Sequence, residues 1–156
     1  MSENTDEIRL LLEQEGPYAF KVRFEGTSLE ALHTDEPAPL GGGAGPNPSA
    51  LLLAGVANCL SASLLFALRK FKNDPGPIRA QISARKERNA QGRWRIARAE
   101  VSISLADKAA SLEHFERVLA QFEQFCIVTQ SVREGIAVDV RIVDADGVAH
   151  VPGGAA

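Results

Sequence analysis

The alternation of apolar and polar positions predicts three elements in the first third of the chain. An amphipathic helix is expected over 6–15, where apolar side chains cluster before a stop at Gly16-Pro17. Residues 18–25 alternate strictly between apolar and polar side chains, which indicates a strand with one buried face. A second strand is expected over 28–34, so that the two strands form a hairpin.

A long apolar helix follows a loop that cannot be regular. Residues 35–46 contain four glycines and three prolines, which predicts an irregular segment leading into the helix. Asn47 can cap the first free amides and Pro48 fits the first helical position. The helix is expected to run to about Lys72 with apolar residues on nearly every face, so it must be buried in the domain or in a dimer.

The second half of the chain predicts a long hairpin, two helices and a last strand. The segments 78–88 and 94–105 alternate at period two around a turn at 89–92. Inward positions on this hairpin are expected at Ile82, Ala84, Ile96, Val101, Ile103 and Leu105. The remaining predicted elements are a helix over 111–125 capped by Ser111, a short helix over 127–133, a strand over 136–143 and a Gly-rich, frayed tail over 144–156. This order is typical of an α+β domain.

Charge and composition narrow the classes of partner. The chain has 156 residues and a formal net charge of -3, which argues against nucleic acid as a partner. The basic run near 85–98 falls in an alternating segment and is interpreted as a solvated sheet face. The acidic N-terminus lacks the pattern of a secretory signal, and the apolar run 50–57 is too short to span a bilayer. We therefore expect a cytoplasmic protein without a membrane partner.

Cys59 and Cys126 are the two cysteines and the main candidates for chemistry. They do not form a CxxC motif, and neither has the close histidine or cysteine neighbours of a zinc site, so no metal is expected. Two thiols that meet in a fold can reduce a hydroperoxide, because one sulfur is oxidised to a sulfenic acid and the other condenses with it to a disulfide. The alternative from the pattern alone is a pair of inert core cysteines.

Two sequence segments resemble the OsmC/Ohr family. The segment 45–60, with Asn47-Pro48 leading a helix that carries Cys59, resembles the central helix and reactive cysteine of that family. Residues 125–128, followed by 135–138, are similar to its second cysteine, short helix and last strand. The order of elements over about 18–143 also matches.

The resemblance implies a fold, an assembly and a set of roles. The expected architecture is OsmC-like α+β, with antiparallel sheets packed around a long buried central helix in an intertwined homodimer. An N-terminal helical extension is expected over 1–17, the OsmC-like domain over 18–143 and a flexible tail over 144–156. Cys59 is implied as the peroxidatic thiol and Cys126 as the resolving thiol, with Arg23 as the candidate catalytic cation. The resemblance implies an organic hydroperoxide as substrate and an external thiol as reductant, with no cofactor and no metal.

Two departures from the family pattern keep a second function open. The family's peroxidases carry a glutamate directly after Asn-Pro that pairs with an active-site arginine, whereas here that position is Ser49 and no arginine occurs between Arg23 and Arg69. A buried thiol without a nearby cation has a raised pKa and forms few thiolates at neutral pH. The alternative function is therefore non-catalytic binding of a hydrophobic or electrophilic small molecule at the dimer interface.

Overall fold

The computed structural model describes residues 6–135, 139, 141–143 and 148–152, which form helices and antiparallel sheets. The α-helices are α1 (Pro48–Lys70), α2 (Phe115–Gln121) and α3 (Ile127–Glu134). The strands are β1 (Leu10–Gln14), β2 (Phe20–Phe24), β3 (Leu32–Thr34), β4 (Arg79–Arg88), β5 (Trp94–Ser104), β6 (Ile142–Val143) and β7 (Ala149–His150). The predicted α+β class is confirmed.

The N-terminal segment is a strand, so the helix predicted over 6–15, and with it the helical extension over 1–17, is wrong. β1 pairs antiparallel with β2 and places Leu10 opposite Phe24 and Leu12 opposite Val22. This pairing puts apolar side chains of both strands on one face, which helix formation would not achieve. The predicted hairpin of β2 with β3 is confirmed. The apolar face of this sheet consists of Leu10, Leu12, Phe20, Val22, Phe24 and Leu32.

The loop before α1 closes around the buried carboxylate of Asp35. Its Oδ1 accepts the Glu36 amide at 2.8 Å, and its Oδ2 accepts the amides of Gly42 at 3.0 Å and Ala44 at 3.1 Å. A Cβ atom on Gly41 would overlap the Asp35 carboxylate and the Glu36 carbonyl, so this glycine is required by close approach. The backbone amides of this glycine-rich loop therefore surround the buried carboxylate of Asp35, an arrangement that we call the amide cage.

Helix α1 begins where the sequence predicts. The Asn47 side chain accepts the Ala50 amide at 2.9 Å, and Pro48 occupies the first turn. At its other end Lys72 has a φ of 62°, and the Asn73 amide donates to the Leu68 carbonyl at 3.1 Å. These contacts fix a helix of 23 residues.

One side of α1 forms the core, together with the β4–β5 hairpin and the shorter helices. A first apolar cluster gathers Leu64, Ala67 and Leu68 against Val118 of α2. A second cluster joins Val56 and Leu60 to Cys126. Among the described residues, neither cluster has a member from β1, β2 or β3. The N-terminal sheet therefore contributes little to the core of its own chain.

The other side of α1 is uncovered in the single chain. Leu52 is 45% and Phe66 is 56% exposed on this helix. By length and composition α1 could cross a membrane, and 33% of its most apolar stretch is buried. The core helix of a folded domain meets the same criterion, and the clusters described above show that α1 serves as one on its covered side.

The remaining predicted elements are confirmed with shifted bounds. β4 and β5 pair from Arg79 opposite Ser104 to Arg88 opposite Trp94. Of the expected inward positions only Ala84 is exposed. The predicted helix 111–125 is shorter, because Ser111 Oγ donates to Lys108 O at 2.7 Å in a 3₁₀ turn and does not cap α2. A second 3₁₀ turn (Phe122–Phe125) joins α2 to α3.

The end of the chain is described only in part. The predicted strand over 136–143 lies mostly outside the described residues, and its last two residues form β6. β6 pairs antiparallel with β7, placing Val143 opposite Ala149. The segment 144–156, predicted to be a tail, thus contributes one short strand.

We expect Asp35→Asn to destabilise the fold in a pH-dependent way. Hydrogen bonds from the backbone amide of Ala44, with those of Glu36, Gly42 and Gly43, hold the pKa of Asp35 below its usual range against the opposing effect of burial. A depressed carboxyl pKa stabilises the folded state above the unfolded pKa of about 3.9, and this contribution is lost as the pH falls further.

Thermal unfolding followed from pH 7 to pH 2 checks this expectation. The variant should melt a few degrees below the parent at pH 7, and the two curves should converge at the acidic end. Glu36→Gln, whose side chain takes no part in the amide cage, is the matched control. A difference in melting temperature that stays constant with pH would contradict the role assigned to the Asp35 charge.

Candidate active site

The two cysteines occupy the meeting point of α1 and α3. Cys59 lies on α1 and is partly exposed, whereas Cys126 directly precedes α3 and has 0% exposure. Both are free thiols that pack in the same apolar cluster with Val56 and Leu60. The fold thus brings together two residues that are 67 positions apart in the sequence.

The two thiols lie close enough to shift each other's pKa, and the first turn of α3 places hydrogen-bond donors beside them. The amides of Ile127 and Val128 are directed at the Cys59 sulfur. Thr129 contacts Cys126 twice, with Oγ1 at 2.8 Å and its amide at 3.4 Å from Sγ. Two sulfurs in this arrangement are placed for disulfide exchange.

The surroundings affect the two thiols in opposite directions. Burial raises the pKa of Cys59, and the neighbouring Cys126 raises it further, against the weaker effect of the α3 amides. Burial also acts to raise the pKa of Cys126, but hydrogen bonds from Cys59 and Thr129 and the charge of Arg133 together lower it. These surroundings therefore favour negative charge on Cys126 over negative charge on Cys59.

A cation of α3, Arg133, acts on this site. Arg133 forms an ion pair of 2.6 Å with Glu123 of the 3₁₀ turn, and both side chains are about half exposed. Arg133 follows Cys126 by seven residues, about two helical turns, so the two residues share one side of α3. The guanidinium is thus placed to favour negative charge at the buried sulfur.

A cavity of about 340 Å³ opens beside the thiol pair, between α1, β5 and α3. Most of its lining is apolar, and Thr129, Glu123 and Arg133 provide the polar part. Thr129 therefore contacts Cys126 while also lining the cavity. The lining residues are Val56, Leu60, Ala99, Val101, Ile103, Phe122, Glu123, Thr129, Val132 and Arg133.

Arg23, the cation expected from the sequence, lies elsewhere in this chain. Its Nε donates to Glu13 Oε2 at 2.8 Å across the β1–β2 pair, and both side chains are about half exposed. The strand register puts Arg23 on the polar face of the sheet, opposite the face that carries Val22. Among the described residues, no interaction joins Arg23 to either cysteine.

Two histidines, His33 and His114, have partners other than the thiols. Nδ1 of His33 pairs with Glu15 at 2.7 Å, and His114 packs its ring against Phe71. In the described part of the chain, no group of three or more histidine, cysteine or acidic side chains could hold a metal ion.

Sequence reasoning missed Thr129 and the Arg133–Glu123 pair. One signal was available, because Cys126 can cap α3 and the third residue after a cap donates its amide to the capping side chain. Position 129 is therefore the position expected to contact the sulfur. The ion pair joins residues ten positions apart across a turn, and its position depends on how that turn is built.

Comparisons with known proteins agree on the family and the fold. A family model described as OsmC-like protein matches residues 41–141. No curated protein sequence matches the chain.

Solved structures of similar fold share less than a fifth of their residues with the chain. The organic hydroperoxide resistance protein of Elizabethkingia anophelis is 18% identical at a TM-score of 0.62, covering 87% of this chain and 94% of that one. OhrB of Bacillus subtilis, an organic hydroperoxide resistance protein, is 19% identical at a TM-score of 0.60, and the match covers 85% of this chain and 94% of that one. The OsmC like protein of Mycoplasma pneumoniae is 11% identical at a TM-score of 0.65, and the match covers 85% of this chain and 89% of that one.

The opposite pKa directions predict how each thiol reacts with iodoacetamide. Because the thiolate is the nucleophile and the pKa of Cys59 is raised, alkylation of Cys59 at pH 7 should be slower in the folded protein than in the urea-unfolded chain. Its rate should keep rising as the pH passes the ordinary thiol value of about 8.5.

Cys126→Ser sharpens this test. Removing the neighbouring sulfur takes away two of the influences that raise the pKa of Cys59, so alkylation of Cys59 at pH 8 should become faster. Site-resolved mass spectrometry measures the rate, and Ser131→Ala on the outer side of α3 is the control. A Cys59 that alkylates at pH 7 as fast as in the unfolded chain would contradict this description of the site.

Proposed function

The chain belongs to the OsmC-like protein family, and from this premise we propose that it is an antioxidant, thiol-dependent reductase of organic hydroperoxides. The observation that carries the proposal is the pair of free cysteines that lie close together in one apolar cluster, Cys59 partly exposed and Cys126 buried. Structures of similar fold that are named organic hydroperoxide resistance proteins support the choice of substrate.

The exposure of each sulfur assigns the order of steps. Cys59 is the sulfur that a hydroperoxide can reach, so its thiolate attacks the outer peroxide oxygen and becomes a sulfenic acid, while the O–O bond breaks. The alkoxide takes a proton and leaves as an alcohol. Cys126 then attacks the Cys59 sulfur, the S–O bond breaks, and a disulfide and water are formed. An external thiol closes the cycle.

The acidity of the pair fits the second step better than the first. A resolving thiol reacts as a thiolate, and the hydrogen bonds from Cys59 and Thr129 favour that form of Cys126. The raised pKa of Cys59 makes the first step slow at neutral pH. A partner cation would speed it, and such a role for Arg23 stays a prediction.

Stoichiometric oxidation with cumene hydroperoxide tests the proposal. One equivalent should consume both thiols and produce a Cys59–Cys126 disulfide, which peptide mapping identifies. The rate should increase from pH 7 to pH 9, because the fraction of Cys59 thiolate increases over this range. Cys59→Ser should abolish the reaction, whereas Cys126→Ser should stop at a sulfenic acid on Cys59 that dimedone traps.

A second function is favoured by one observation, the largely apolar cavity of about 340 Å³ beside the thiols. A cavity of this volume accepts a small hydrophobic molecule. If cumene hydroperoxide leaves both thiols reduced at pH 9 while cumyl alcohol still protects the protein against heat, non-catalytic binding replaces the reductase. Equal thiol loss from the parent and Cys59→Ser would also contradict the proposed mechanism.

We also propose that the protein works as a homodimer. The apolar face of the β1–β2–β3 sheet and the uncovered side of α1 are two apolar surfaces that one chain leaves exposed. Leu12 of the sheet is 54% exposed and Phe66 of the helix 56%. We propose that a second copy places its sheet over the Phe66 end of this side and receives the same contact in return, so that the turn carrying Cys59 stays open to substrate.

Two neighbouring leucines make this assembly testable. Leu12 lies on the apolar face of β1 and Leu11, 46% exposed, on the polar face. Leu12→Glu should raise the dimer dissociation constant at least tenfold, because a charge would be buried without a partner, and Leu11→Glu should leave it unchanged. Sedimentation at micromolar concentration measures both. A monomeric parent protein, or equal effects of the two variants, would contradict the proposed interface.

A further inference from the structure

The two sulfurs differ in how an external thiol can approach them. Cys59 is partly exposed on α1, whereas Cys126 has 0% exposure and lies behind it in the apolar cluster. Thiol–disulfide exchange requires a thiolate to reach one sulfur and push the other away as the leaving group. The exposed sulfur is therefore the one that can be attacked, and the buried sulfur is the one that must leave.

The Cys126 sulfur, which would leave as a thiolate, has hydrogen-bond donors beside it. Thr129 Oγ1 lies 2.8 Å from Cys126 Sγ and the Thr129 amide lies at 3.4 Å, so both can donate to a thiolate. Thr129 is itself 5% exposed, and its hydroxyl has no other hydrogen-bond partner in the described part of the chain. Arg133 adds a positive charge from the same side of α3.

We propose that Thr129 is a positioning residue for the reopening of the disulfide, which holds Cys126 as the leaving thiolate while the external thiol adds to Cys59. The proposal rests on the proposed function, because it presupposes a Cys59–Cys126 disulfide. An external thiolate attacks Cys59 Sγ, the protein S–S bond breaks, and its electron pair goes to Cys126 Sγ. A second external thiolate then attacks the outer sulfur of the mixed disulfide and releases Cys59. The two external thiols are oxidised to a disulfide and the protein is reduced.

The direction of opening is tested on protein oxidised with diamide, so that hydroperoxide activity is not needed. The oxidised protein is mixed with glutathione, quenched in acid within seconds and mapped by mass spectrometry. Glutathione should be found on Cys59 at least tenfold more often than on Cys126. An equal distribution, or an excess on Cys126, would overturn the proposal even if the variants below fail to fold.

The role of Thr129 is tested by the rate of opening at fixed glutathione concentration. Thr129→Val keeps the shape and the amide but removes the hydroxyl, so opening should slow about tenfold. Thr129→Ser restores the donor and should recover most of the rate, which a purely structural role would not predict. Ser131→Ala removes a hydroxyl that donates to the Ile127 carbonyl on the same helix and should leave the rate unchanged.

The outcomes separate this proposal from the function on which it rests. A diamide disulfide that opens at Cys59 with the expected dependence on Thr129 supports the proposal whether or not cumene hydroperoxide is reduced. Unchanged opening in Thr129→Val, with the parent's melting temperature retained, would overturn the role of Thr129. Failure of diamide to join the two sulfurs would overturn both proposals together.

Discussion

The burial of α1 is the constraint on which the rest of the structure depends. Its 23 residues are apolar on nearly every face, and the single chain covers only the side that meets β4, β5, α2 and α3. Leaving Phe66 56% exposed forgoes roughly 1 kcal/mol of burial free energy. The apolar face of the N-terminal sheet is also largely exposed, because Leu10 and Leu12 face solvent while Val22 is buried. Each surface is explained by the other if two chains exchange them.

The same constraint determines the chemistry of the thiols. A sulfur placed in the packed side of an apolar helix loses solvation, which disfavours the thiolate and raises the pKa of Cys59. The first turn of α3 is the local source of polarity, because its amides and Thr129 point at the two sulfurs. The groups that lower a thiol pKa at this site therefore come mainly from the short helix α3, whereas the long helix α1 positions Cys59 and shields it partly from solvent.

The sequence predicts α1, the β4–β5 hairpin and the pair of cysteines because each depends on local signals. Asn47-Pro48 caps and starts a helix by itself, and strict alternation specifies a hairpin without reference to the rest of the chain. The N-terminal strand was missed because three successive leucines fit either period, and only pairing with β2 decides between them. Ser111 failed as a cap because its hydroxyl is used inside a 3₁₀ turn.

The sequence points to the two cysteines that the fold brings together but not to Arg133, and the role expected of Arg23 stays a prediction. Arg23 was the expected cation from its place in the sequence, yet the strand register turns it towards Glu13 on the polar face. The face of the sheet on which a strand residue lies depends on the strand register, and a register shift of one residue moves its side chain to the opposite face. Arg133 lies on the same side of α3 as Cys126 because the two are seven residues apart. This spacing can be used only once Cys126 is known to be the N-cap of α3. The charge consequently favours the buried sulfur, which in the proposed mechanism suits the resolving and reopening steps better than the first oxidation, and that first step is the one to which a partner subunit would add most.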